Sequence, residues 1–163
     1  MRTPLFAAAF SLLLTGTATT SFAQAPAQTA TTAAPATWNT TLDAALQQAK
    51  ATGRPVLAVF SGSDWCKPCI MLKQEVFDKP EFTSYAQSKL VLARFDFPRS
   101  KKNKLPAEQT KQNEQAAAKL NKEGSFPLVV LLSPEGKVLA KTGYRPGGAT
   151  AYTTYLNTLL AQK

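Results

Sequence analysis

The stretch Ser63-Asp64-Trp65-Cys66-Lys67-Pro68-Cys69 constrains this chain more than any other. It holds the only two cysteines in 163 residues, spaced Cys-x-x-Cys. Two intervening residues bring both sulfurs within bonding range on one turn. Ahead of it, Pro55 to Ser61 carries the unbroken apolar run Val56-Leu57-Ala58-Val59-Phe60 and reads as a strand buried on both faces. Behind it, Ile70 to Phe77 reads as helix, with Ile70, Met71, Leu72, Val76 and Phe77 on its apolar side. Cys66 therefore falls where a strand delivers the chain to a helix N-terminus. The unsatisfied N–H groups and the positive end of the helix dipole favour a thiolate there.

The rest of the composition removes most other uses of such a pair. A structural zinc site needs four Cys or His ligands, and the chain has two Cys and no His. Haem attachment needs His after the second cysteine, where Ile70 stands. A cysteine protease needs a His base. A purely structural staple is a poor explanation, because so small a loop restrains little chain entropy. Thiol–disulfide exchange needs only the two sulfurs and a tuned thiolate. Cys66 is the candidate nucleophile. Cys69, one turn into the helix and expected to be more buried, is the candidate resolving thiol. Lys67 adds a positive charge that should lower the Cys66 pKa. Trp65 can shield the sulfur, and Pro68 sits in the first turn, where a missing N–H is harmless. These three are the candidate thiolate-tuning residues, while an exposed Asp64 should oppose the thiolate only weakly. No metal and no cofactor are expected.

Met1-Arg2, the apolar segment Leu5 to Leu14 and Ser21-Phe22-Ala23 before Gln24 read as a secretory signal peptide over 1–23. Its apolar core is about half of the roughly 20 residues that a membrane anchor needs. Export implies an oxidising compartment. Residues 24–37 are mostly Ala, Thr, Pro and Gln and read as a flexible linker. The domain is expected over 38–163. The net charge of +9 falls to +8 when Arg2 leaves with the signal. A basic surface suits acidic partners, anionic membranes or nucleic acid. No nucleic-acid motif is present, and no nucleic-acid binding is expected. The loop from Pro98 to Lys104 carries Arg99, Lys101, Lys102 and Lys104. It reads first as a solvated loop and second as an anion or partner patch.

Along the domain, Thr40 or Thr41 caps a helix carrying Leu42, Ala45, Leu46 and Ala49, and Gly53 ends it. Asp78-Lys79-Pro80 breaks the helix after the cysteines, and Glu81 to Ser88 forms a short helical piece. Leu90 to Phe97 reads as strand and Pro106 to Lys122 as a weakly apolar helix. Leu128 to Leu132 and Val138 to Tyr144 form a hairpin around Ser133-Pro134-Glu135-Gly136, and Ala149 to Ala161 a closing helix. Strands joined through helices are expected to be parallel and the last two antiparallel.

Trp65-Cys66-Lys67-Pro68-Cys69 resembles the Trp-Cys-x-x-Cys active site of the thioredoxin-like superfamily. The strand before it, the proline before the final hairpin and the closing helix follow the family order across roughly Trp38 to Lys163. The lead-in Gly-Ser-Asp-Trp-Cys is similar to that of exported members. The resemblance implies an α/β thioredoxin fold, with a mixed central sheet and helices on both faces, and a redox-active Cys66–Cys69 disulfide. It implies a cis proline at Phe126-Pro127 that faces the dithiol and aligns a substrate strand; Gly143 resembles a glycine of the same face. The function it implies is an exported thiol–disulfide oxidoreductase, periplasmic if the cell is Gram-negative. That protein would act on protein thiols and disulfides and be recycled by a membrane redox partner. The sequence also departs from the family. Thioredoxins carry a buried acid on the strand before the motif, whereas Val59 and Phe60 stand here, which leaves the proton acceptor for Cys69 open. Lys67 replaces a glycine, Phe126 is bulkier than the family residue before the proline, and the 98–122 segment is longer. Lys-Pro between the cysteines resembles reducing members, while the cation beside Cys66 pushes toward an oxidising couple; reductase is the preferred direction. The alternatives are a non-catalytic binding or chaperone module of the same fold, or a dedicated oxidase or cytochrome c maturation factor.

Overall fold

The computed structural model describes residues 37–162. The expected signal peptide and all but the last residue of the expected linker lie outside the described residues. Trp38–Asn39 (β1) is followed by Leu42–Thr52 (α1), Val56–Ser61 (β2), Lys67–Leu72 (α2), Pro80–Lys89 (α3) and Val91–Asp96 (β3). Ala107–Leu120 (α4), Leu128–Leu132 (β4), Val138–Thr142 (β5) and Gly148–Ala161 (α5) complete the chain. Local chemistry sets several of these boundaries. Thr41 Oγ1 accepts the Ala44 N–H at 3.2 Å to cap α1, and Gly53 ends it in the left-handed region at φ +67°.

The five strands lie in the order β1-β3-β2-β4-β5. β1 and β2 both run parallel to β3; β4 runs antiparallel to β2, and β5 antiparallel to β4. The sheet is therefore mixed, as the sequence suggests, with two differences. β1 is a two-residue edge strand that no periodicity announces. More importantly, β4 is reversed relative to β3 although a helix joins them. Phe60 at the end of β2 pairs with both Phe95, near the end of β3, and Leu128, at the start of β4. The connection thus leaves and re-enters the sheet at one end. Because the connection of 97–127, which contains α4, starts and finishes at that end, β4 runs back along the sheet instead of crossing over.

Alternation along the strands builds two cores. Val56, Ala58, Phe60, Val91, Ala93, Phe95, Leu128, Val130 and Leu132 face α1 and α4. Leu57, Val59, Leu92, Val129 and Leu131 face the other side, under Leu72, Phe82, Tyr152 and Leu156 from α2, α3 and α5. Arg94 and Asp96 fall on this second face by the same alternation, opposite Val59 and Ser61. The helix after the cysteines does not stay α-helical to Phe77. It widens into a π turn over Lys73–Phe77, where the Asp78 N–H reaches the Lys73 carbonyl at 2.9 Å and Lys73 pairs with the Asp78 carboxylate.

Candidate active site

The end of the sheet at which β2 and β3 finish carries the cysteines. β2 runs out at Ser61, and Gly62 to Trp65 turn the chain so that Cys66 becomes the N-cap of α2. Cys66 and Cys69 are joined as a disulfide, with their Cα atoms 5.2 Å apart. The Cys69 N–H points at Cys66 Sγ at 3.3 Å and also reaches the Cys66 carbonyl at 3.0 Å. The Gly62 N–H points at Cys69 Sγ at 3.5 Å. Burial does not separate the two residues as expected: Cys66 is 5% exposed and Cys69 4%. Their positions separate them instead, since only Cys66 sits at the helix mouth, where unpaired N–H groups converge. Lys67 is exposed at the first position of α2, and Pro68 follows it at a position that needs no N–H donor.

The Phe126–Pro127 peptide bond is cis. Pro127 lines a cavity of about 320 Å³ together with Cys69, Val59, Ser61, Arg94 and Asp96. Gly143 lies behind this proline, where an added Cβ would stand 3.0 Å from the Pro127 carbonyl oxygen. The Gly143 carbonyl in turn accepts the Tyr152 hydroxyl at 3.0 Å. Pro127 and Gly143 therefore adjoin one another, and Pro127 shares the Cys69 cavity.

That cavity also bears on the absent acid of β2. Asp96 reaches it from β3, and its carboxylate accepts the Ser63 N–H at 2.9 Å and the Ser63 hydroxyl at 2.6 Å. Arg94 enters from the same strand, with its guanidinium 4.2 Å from the Trp38 ring centroid. Burial pushes the Arg94 pKa down, against the opposing pull of Asp78 and Asp96. Inspection of β2 alone could not find this pair. The signal was in β3, where two charged residues alternate with buried Ala93 and Phe95.

Trp65 is anchored on the opposite side. Its Nε1–H donates to the Phe97 carbonyl at 2.8 Å. Its ring meets Phe126 edge to face at 5.5 Å between centroids, and Phe126 meets Phe97 in the same way at 5.4 Å. Three half-buried aromatics thus join the residue before Cys66 to the residue before Pro127. Gly62 makes the arrangement possible, because a Cβ there would overlap the Trp65 indole. Beyond the weak field effect expected of it, Asp64 has another task. The Asp64 carboxylate accepts the N–H groups of Arg99 and Ser100, each at 2.9 Å, and Asn103 Nδ2 at 3.0 Å. The Arg99 guanidinium lies 3.7 Å from the Trp65 ring centroid. The basic loop is exposed, as a solvated loop would be, but its backbone is fastened to the active-site turn.

A bridged Cys-x-x-Cys pair on a thioredoxin fold makes the class of protein a thiol–disulfide oxidoreductase. The chain belongs to the thioredoxin-like family, whose model matches residues 37–134. It is similar to the disulfide bond reductase DsbH of Chlamydia pneumoniae, at 36% identity over 116 residues, 71% of this chain and 68% of that protein. A solved DsbH oxidoreductase has a TM-score of 0.75 at 33% identity, covering 86% of this chain and 95% of that one. A thioredoxin from Thermus thermophilus, 17% identical, shares the fold with a TM-score of 0.58 over 78% of this chain and 88% of its own.

Proposed function

We propose that this chain is an exported protein-disulfide reductase that cycles Cys66 and Cys69 between dithiol and disulfide. The observation that carries the reading is the bridged pair at the mouth of α2, with cis Pro127 on the same cavity. The similarity to a disulfide bond reductase supports the direction. In the forward reaction the Cys66 thiolate attacks one sulfur of a substrate disulfide. A mixed disulfide forms, and the other substrate sulfur leaves as a thiolate that takes up a proton. Cys69 loses its proton and attacks Cys66 Sγ. The Cys66–Cys69 bond forms, and the second substrate sulfur leaves. Two electrons pass from the protein dithiol to the substrate disulfide.

Phe126, Pro127 and Gly143 are the residues read as receiving the substrate strand, and Trp65, Lys67 and Pro68 as tuning Cys66. For the Cys69 proton, the supporting feature is the Asp96 carboxylate on the lining of the Cys69 cavity. Replacement Asp96→Asn is expected to prolong the mixed disulfide. Residues 1–23 are read as the signal for export, to the periplasm in a Gram-negative cell, and 24–37 as the linker behind it. The oxidised pair then needs a membrane redox partner to return two electrons.

Insulin reduction with dithiothreitol tests the activity. Wild type should be active, Cys66→Ser inactive, and Cys69→Ala should accumulate mixed disulfides. Equal inactivity of wild type and Cys66→Ser would overturn the enzyme reading. A reduction potential near about −270 mV fits a reductase, and one near about −120 mV excludes it. Cell fractionation with N-terminal sequencing tests export, with Gln24 expected as the first residue of the mature chain.

A further inference from the structure

Asp64 and Trp65 fasten the basic loop to the turn that presents the attacking cysteine, and exchange chemistry itself needs no such loop. We propose that this loop is a substrate-recognition rim that selects disulfides flanked by acidic residues. The inference rests on the oxidoreductase reading and names its substrate class. Between Pro98 and Pro106 the chain carries Arg99, Lys101, Lys102 and Lys104 and no acid. All four side chains are exposed, and so is Lys67. Among the described residues, none of these five cations forms an ion pair. Asp64, the acid nearest in sequence to Cys66, is already committed to the loop backbone and Asn103.

Placement distinguishes this loop from an ordinary run of surface lysines. Its three bonds to Asp64 fix Arg99, Ser100 and Asn103 to the turn that presents Cys66. Arg99 is stacked on Trp65, which touches Phe126 beside Pro127. A substrate that lies along Pro127 with its disulfide at Cys66 must bring flanking residues near this positive edge. Behind the edge is a cavity of about 290 Å³, with Phe97, Pro98 and Leu105 among its apolar lining and Arg99, Lys101 and Lys104 among its polar lining. An acidic segment carrying one apolar side chain fits that combination. Such charges act on encounter and selection more than on the chemical step, and salt weakens them.

The test uses two disulfide-bonded peptides that differ only in acidic or neutral flanks, together with a small neutral disulfide. At low salt, wild type is expected to reduce the acidic peptide with a kcat/KM about tenfold above the neutral one, a sum of several weak exposed pairs. In 1 M salt, where the Debye length is about 3 Å, the ratio should fall toward one. The triple variant Lys101→Glu, Lys102→Glu, Lys104→Glu should lose the preference. Lys50→Glu, Lys89→Glu, Lys119→Glu makes the same change in net charge on α1, α3 and α4 and should keep it. Asp64→Asn retains every loop cation but weakens the tether, and should reduce the ratio. Equal treatment of both peptides by wild type, or equal loss in the remote triple variant, overturns the rim. Peptide binding to a Cys66→Ser/Cys69→Ser variant is measured in parallel. Failure to reduce even the small disulfide overturns the oxidoreductase reading, and the rim is then decided by whether the acidic peptide binds more tightly.

Discussion

Gly62 determines where the indole beside Cys66 can lie. A Cβ there would occupy the space of the Trp65 ring, and the flexible end of a long side chain is not what it would meet. Gly62→Ala must therefore expel the indole from its bond to Phe97 and its contact with Phe126. Overpacking of this kind typically destabilises by about 1–3 kcal/mol. Urea unfolding should show that loss, and tryptophan emission in a Trp38→Phe background should shift to the red. Asp64 gives a pH-dependent counterpart. The Arg99 N–H, followed by those of Ser100 and Asn103, holds its carboxyl below the ordinary aspartate value of 3.8 despite some desolvation. A depressed folded pKa means that the tether is fully present above 3.8 and lost as pH falls through the lower folded value. Amide exchange at Arg99 and Ser100, corrected for the intrinsic rate, should therefore accelerate below that pH while the β2 amides remain protected. Asp64→Asn should abolish the pH step.

At the scale of elements, α4 positions both loops that flank the cysteines, through polar residues. Its buried Asn113 donates to the Asp96 carbonyl at 2.7 Å and is held by Gln109, which fixes the end of β3. Asn121, just past its end, exchanges two 2.9 Å bonds with Ser125, immediately before Phe126. Asn121→Ala removes both bonds, a loss of about 2 kcal/mol at roughly 1 kcal/mol each. Thermal unfolding should detect it, and the KM for a protein substrate should rise more than kcat falls. This helix also shows where sequence reading stops. Its weak apolar stripe is plain, but nothing in its pattern says that Asn113 is buried or that the connection reverses β4. The fully apolar runs of β2 and β4, the hairpin turn and the strand-to-helix placement of Cys66 were all legible, because each is written in contiguous residues. β1 was not, since two residues carry no period. The π turn at Lys73–Phe77 was hidden because a widened turn leaves the apolar spacing almost unchanged. The Asp64 tether escaped because it joins residues 35 and more positions apart. The same is true of Asp96, whose relation to Cys69 exists only once β3 lies beside β2.

Across the whole molecule, two continuous cores hold the sheet between its helices, and neither depends on the Cys66–Cys69 bond. Closing so short a loop restricts the unfolded chain by about 2 kcal/mol on chain-entropy grounds. The reduced protein should therefore remain folded and unfold cooperatively, and urea should separate the two redox forms by a modest amount at nearly equal m. The sign of that difference carries functional information. Folding free energies of the oxidised and reduced forms close a thermodynamic cycle with the reduction potentials of the folded and unfolded pairs. Where the oxidised form is the more stable, the fold favours the disulfide and the dithiol is a reductant. Where the reduced form is the more stable, as in strongly oxidising relatives of this chemistry, the fold favours the dithiol. The thiolate tuning proposed for the helix mouth at Cys66 and for the Lys67 cation works toward the second case; chain entropy works toward the first. The reductase reading requires the first to win. It predicts that the oxidised protein resists urea better by about 2 kcal/mol or less, because thiolate stabilisation subtracts from the entropic gain. Parallel denaturation curves with and without dithiothreitol decide the matter, and a more stable reduced form would reverse the assigned direction of electron flow.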